Sequence, residues 1–129
     1  MLTRIIVASH GKLARALAHT VELIAGAQEE IHCLGIAPGD DISAFATQLV
    51  ALVDVAKPCL ILVDMPGGTP WNVAMEHFGQ NEAVRVVSGV NLPMLLEVTL
   101  GRNDMSIDAL AELARTTGIE SIRVGKSLH

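Results

Sequence analysis

The sequence predicts a doubly wound α/β domain, a mainly parallel sheet of order 2-1-3-4 with helices on both faces. Three observations predict it. Strand-like and helix-like stretches alternate along the 129 residues, a pattern that builds parallel sheets through right-handed crossovers. Two strand-like runs, 5–8 and 59–63, are apolar on consecutive residues and therefore on both faces, which marks central strands. Half the residues are hydrophobic, yet only 2% are aromatic and Tyr is absent. The core must be aliphatic, as suits a sheet buried on both sides. The length fits one domain spanning 1–129.

The first strand is expected over 2–8, followed by a helix over 12–25 with Leu13, Leu17, Val21 and Ile24 as its inner stripe. His19 falls on the opposite, solvent side, and Gly26 ends the helix. A second strand covers 30–36. Asp40 or Asp41 caps a second helix over 42–55, with Ile42, Phe45, Leu49 and Leu52 or Val53 inward. The third strand, 59–64, is apolar until Asp64. Thr69 and Pro70 read as the N-cap and first residue of a third helix running to Phe78. A fourth strand over 83–88 leads through Asn91 and Pro93 into a helix over 92–101. A fifth helix starts at Asp104 or Ser106 and stops at Gly118. From Ser121 to Val124 polar and apolar residues alternate, so 119–124 is expected to be a half-exposed edge strand.

Bulk properties narrow the function. A net charge of -5 argues against nucleic acid, which selects basic surfaces. No apolar run reaches the roughly 18–20 residues of a membrane span, and the start reads as a strand rather than a signal peptide, so a cytoplasmic protein is expected. Cys33 and Cys59 lie in apolar strand patterns and are expected to be buried free thiols. No nucleotide P-loop, dinucleotide fingerprint or nucleophile elbow occurs, and no His or Cys spacing suits a metal. Neither metal nor cofactor is expected.

In a sheet of this order the winding reverses between the first and third strands, and ligands bind outside their carboxyl ends. Those ends carry His10 and Asp64. A carboxylate accepting a hydrogen bond from one ring N–H fixes the tautomer and leaves the other nitrogen as a nucleophile. The first and third helices aim their N-termini at this crevice, and Gly67 and Gly68 let backbone N–H groups approach an anion. The Thr69 hydroxyl is placed to cap its helix or touch a phosphoryl oxygen. Together these features suggest a histidine that receives a phosphoryl group from another protein and passes it on. A regulatory module or a reversible anion-binding domain fits the same residues. His77, in the last turn of the third helix, faces the helix dipole; His129 sits at the chain end; Trp71 is expected to pack at the core or rim.

Three co-linear stretches resemble the IIA domain of the mannose-family phosphotransferase system (PTS): Ile6-Val7-Ala8-Ser9-His10-Gly11, Leu62-Val63-Asp64-Met65-Pro66-Gly67-Gly68-Thr69-Pro70-Trp71-Asn72, and Ser88-Gly89-Val90-Asn91-Leu92-Pro93-Met94. The resemblance implies that His10 is phosphorylated, that Asp64 orients it, and that Gly11, Gly67, Gly68 and Thr69 surround the phosphoryl group. It implies a homodimer with an antiparallel last strand that subunits can exchange. It further implies HPr as donor and a separate IIB component as acceptor, with no metal or nucleotide. Pro66 departs from the bulky or aromatic residue common there in the family.

Overall fold

The computed structural model describes residues 2–126; His129 lies outside them. Its elements are β1 (Arg4–His10), α1 (Leu13–Ala25), β2 (Ile31–Ile36), α2 (Ile42–Leu52), β3 (Cys59–Val63), α3 (Thr69–Phe78), β4 (Val84–Val87), α4 (Leu92–Gly101) and α5 (Ile107–Glu120). The strands form one sheet of order β2-β1-β3-β4, every pair parallel.

Alternation along the two central strands divides the core. Ile5, Val7, Leu60 and Leu62 face one layer, with Val21 of α1, Leu95 and Val98 of α4, and Leu110 and Ala114 of α5. Ile6, Ala8, Ile61 and Val63 face the other, with Phe45 and Leu49 of α2 and Val73, Ala74 and Phe78 of α3. All eight strand residues are fully buried. Burying each branched aliphatic side chain contributes about 1.5–3 kcal/mol, so β1 and β3 fix the frame that carries the crevice.

Several expectations are corrected. The inner stripe of α1 is Ala14, Leu17 and Val21, while Leu13 and Ile24 are exposed. The small Ala14 lets α1 come down on the sheet, where its N–H reaches the Ser9 Oγ at 2.8 Å. On α2, Phe45 and Leu49 point inward, but Ile42 is exposed and the helix ends at Leu52. Asp41 caps α2 through the Ser43 N–H, and Asp40 closes the preceding loop through the Ala37 N–H. Gly68, not Thr69, is the N-cap of α3.

Gly118 does not stop α5; the helix runs on to Glu120. A Cβ at Gly118 would lie 2.7 Å from Met94 Cε, so the glycine serves the close approach of α5 to α4. Residues 119–124 form no strand among the described residues. Ile119 and Glu120 complete α5, the Ser121 N–H donates to Thr117 O, and 121–126 pairs with none of the four strands. Alternation signals a strand only where a sheet edge is within reach. Here it leaves Ile122 and Val124 78% and 95% exposed.

Cys59 is buried, and burial pushes its thiol up to about 12. Cys33 is half-buried, its thiol also raised by burial. Both are free.

Candidate active site

β1 ends on His10 and β3 is followed directly by Asp64, which places both at the carboxyl end of the sheet where its winding reverses. The Asp64 carboxylate holds its neighbour twice. Its Oδ2 accepts the His10 backbone N–H at 2.9 Å and lies 2.8 Å from His10 Nδ1. Its Oδ1 accepts the Met65 N–H at 3.0 Å. Burial works to raise the Asp64 pKa, but the backbone N–H and ring of His10, with the backbone N–H of Asp64 itself, outweigh it and hold the carboxyl below its ordinary value. An ionised carboxylate only accepts, so Nδ1 carries the ring proton and neutral His10 keeps its lone pair on Nε2. The His10 side chain is 48% exposed and that of Asp64 14%, so the carboxylate forms the floor and the ring the accessible edge.

Each support of the ring has a local cause. Gly11 adopts φ +58° just after the strand, a conformation glycine takes without strain, and its N–H donates to Ile36 O at 2.7 Å. This bond ties the histidine loop to the end of β2. Ser9 is fully buried directly beneath the ring residue. Its hydroxyl donates to His10 O at 3.1 Å and accepts the Ala14 N–H at 2.8 Å, joining β1 to the first turn of α1.

On the opposite side, a Cβ at Gly68 would stand 2.7 Å from His10 Cε1 and 3.5 Å from Nε2. Only glycine leaves room for the imidazole here. Gly67 turns the chain with φ +81°, and its carbonyl accepts the Asn72 side-chain N–H at 3.1 Å. The N-cap residues of α1 and α3, Lys12 and Gly68, make no side-chain cap bond; Ser9 takes the Ala14 N–H and Pro70 has none, and the other first-turn N–H groups are left for an anion beside the ring. Thr69 is the first residue of α3, half-buried, with its hydroxyl in no hydrogen bond among the described residues.

The structure thus brings His10 together with Asp64, Gly11 and Gly68, and sets Gly67 and Thr69 on the adjoining α3 entry. Ser9 and Asn72 are supports that sequence reasoning missed. The signal for Ser9 was a hydroxyl one residue before the histidine at a helix entry. Asn72 gave none, since its bond runs back to a loop carbonyl. Trp71 is half-buried against β4. Among the described residues no three His, Cys, Asp or Glu side chains group closely enough for a metal ion, and no helix is long and apolar enough to cross a membrane.

Fold and site define a doubly wound α/β domain with a carboxylate-held histidine at its topological switch point. Residues 4–115 match the family described as "PTS system fructose IIA component". The mannose-specific EIIAB component of Escherichia coli K12 is 36% identical over an alignment of 132 residues, which covers 98% of this chain and 41% of that protein. The chain thus spans about two-fifths of that relative's length. The sorbose-specific EIIA component of Lacticaseibacillus casei is 33% identical, covering 82% of this chain and 78% of that one. Among solved structures, the mannose/sorbose-specific IIA subunit from Enterococcus faecalis superposes with a TM-score of 0.91 at 29% identity, covering 100% of this chain and 98% of that one. The chain belongs to the mannose/fructose IIA family of sugar phosphotransferase systems.

Proposed function

We propose that His10 is the residue phosphorylated, through Nε2, and that phospho-HPr donates the group while a IIB component accepts it. The observation that carries this reading is the 2.8 Å contact between His10 Nδ1 and Asp64 Oδ2, which commits one ring nitrogen and leaves the other free on an exposed edge. In the transfer the Nε2 lone pair attacks phosphorus as the P–N bond of the donor's phosphohistidine breaks, and that electron pair returns to the donor's imidazole. Proton and charge then stay balanced at the floor of the site: phospho-His10 keeps its Nδ1–H on Asp64, and the carboxylate offsets positive charge that builds on the ring during attack. Backbone N–H groups at Gly67 and Gly68, with the Thr69 hydroxyl, receive the phosphoryl oxygens, while Gly11, its N–H held by Ile36 O, shapes the loop beside them. Passing the group to IIB reverses the same steps, with no metal and no nucleotide.

The chain acts in this reading as one IIA domain in the cytoplasm, where its phosphorylated partners reside, and as a homodimer. The exposed Ile119, Ile122 and Val124 and the outer edge of β4 support the dimer, because a second copy would cover both. Sedimentation tests it, and a monomer at all concentrations removes it.

Intact mass after incubation with phosphoenolpyruvate, enzyme I and HPr tests the carrier chemistry. One acid-labile phosphoryl adduct is expected on wild type and none on His10→Ala. An unmodified wild type beside fully phosphorylated HPr would return the site to reversible anion binding.

A further inference from the structure

Two cations follow the histidine at the start of α1, with no role in holding the fold. The sequence has nine Lys and Arg residues. Arg4, Lys57, Arg85 and Arg115 make ion pairs, while Arg102 and Arg123 donate to backbone carbonyls. Three enter no ion pair or hydrogen bond among the described residues: Lys126, near their end, and at the start of α1 Lys12 and Arg15. The latter two are exposed. With Gly11, Cys33, Leu34 and Gly35 they line an open cleft of about 470 Å³.

Their position works against stability. Lys12 is the N-cap residue of α1 and Arg15 lies in its first turn, where no acidic residue is present. The positive end of a helix disfavours cations there. In a chain of net charge -5, two cations gathered at one helix start beside the candidate nucleophile need another explanation. Met65, 52% exposed, supplies apolar surface near the same ring, and Leu13, 44% exposed, adds to it at the helix start. Met65 Cγ lies 3.3 Å from the point where a Gly68 Cβ would press on His10. Beyond Gly35, Asp40 and Asp41 confine the positive lip to the α1 side, and both already accept backbone N–H groups.

We infer that Lys12 and Arg15 form an electropositive lip that recognises the phosphorylated donor protein through the charge of its phosphoryl group. This rests on the carrier reading above. The donor is the occupant that charge selects. A phosphoryl group carries about -1.5 to -2 at neutral pH, and before transfer that charge is on the donor while the lip is bare. After transfer it sits on His10 beside the lip and neutralises it. The acceptor therefore meets a lip already balanced. The lip speeds the first encounter, weakens once the group has crossed, and so favours release of the spent donor.

The test measures both half-reactions by rapid quench: acceptance from phospho-HPr, and donation from purified phospho-carrier to IIB. Wild type is compared with Lys12→Glu/Arg15→Glu and Lys12→Arg/Arg15→Lys at about 0.02 M and about 0.5 M salt. Charge reversal is expected to cut the second-order rate of acceptance about tenfold at low salt, and to fall within about twofold of wild type at high salt. The charge-conserving variant should retain wild-type salt dependence, and donation should slow less than acceptance. Equal acceptance rates at low salt overturn the lip, as does a loss independent of salt or shared equally by donation. A wild type that takes no phosphoryl group from active phospho-HPr overturns the carrier reading and the lip with it. Thermal melting of the variants separates misfolding from lost steering.

Discussion

The two ends of the sheet handle polar groups in opposite ways. At the amino end Arg102 is only 3% exposed, and its guanidinium donates to Thr3 O at 3.0 Å, Glu30 O at 3.2 Å and Glu29 O. It gathers the start of β1 and the approach to β2 under the end of α4. Beside it Arg4 meets Glu30 at 2.6 Å, and Lys57 approaches the same carboxylate at 3.5 Å. About 20 Å away, at the carboxyl end of β1, polar groups are left available: a ring nitrogen, backbone N–H groups at the starts of α1 and α3, and a Thr69 hydroxyl in no hydrogen bond among the described residues. The amino end uses polar atoms to close the molecule, and the carboxyl end holds them apart for a ligand. An apolar core shared by both ends allows this division, since β1 and β3 are rigid without help from the site.

The comparison breaks most sharply if Asp64→Asn slows phosphoryl acceptance only slightly. The amide can donate as well as accept, so it no longer fixes the Nδ1–H tautomer, and a fall of about 10²-fold or more is expected. Stopped-flow acceptance kinetics measure it. Melting temperature should move little, because one partly exposed hydrogen-bonded group contributes only about 1 kcal/mol.

Arg102→Met should do the reverse. It leaves three carbonyls without their donor, and a loss of about 3 kcal/mol in urea unfolding is expected, with acceptance per folded molecule unchanged. A variant that folds normally but transfers slowly would show that the two ends are coupled.

Two glycine substitutions sharpen the contrast at lower cost. In Gly68→Ala the new Cβ meets the His10 ring, which must leave Asp64, so acceptance should fall about tenfold with stability changed by about 1 kcal/mol or less. In Gly118→Ala the Cβ meets only the flexible end of Met94, and alanine's helix preference of about 1 kcal/mol offsets that crowding. Unfolding and transfer should both stay near wild type.

The smallest effect concerns acid. The Arg4 hydrogen bond holds the Glu30 carboxyl at about 2 rather than 4.5. A depressed folded pKa contributes stability that is complete above 4.5 and lost as pH falls towards about 2. Glu30→Gln should flatten the stability profile across that window and leave it unaltered near neutrality. Asp64 acts in the same sense below its ordinary 3.8, so the wild-type slope combines both ends.

What could be read in the sequence follows from how local the cause is. Continuous apolar runs at 5–8 and 59–63 announced the central strands, and the strand order then brought His10 and Asp64 together, as the 2.8 Å contact shows. The Asp41 cap and the Ser106 start of α5 are likewise local. The misses depend on packing contacts that no local pattern announces. The α1 stripe turned because Ala14 has to approach Ser9. Gly118 resembled a stop signal because the methionine it accommodates lies on another helix. The buried role of Arg102 rests on carbonyls some 70 to 99 residues earlier. The 119–124 alternation met no sheet edge among the described residues.

The single oxygen Asp64 Oδ2 accepts both the peptide N–H and the ring N–H of His10. Side chain and backbone of one residue thereby share one acceptor, and any change in ring charge alters the electron density at that oxygen. The His10 amide proton becomes a reporter of the ring. In a nitrogen–proton correlation spectrum its resonance should shift on phosphorylation and again on ring protonation, while amides in the middle of β1 stay in place. The state of the carrier would then be visible in real time, without label or quench, from a bond that the folded chain already makes.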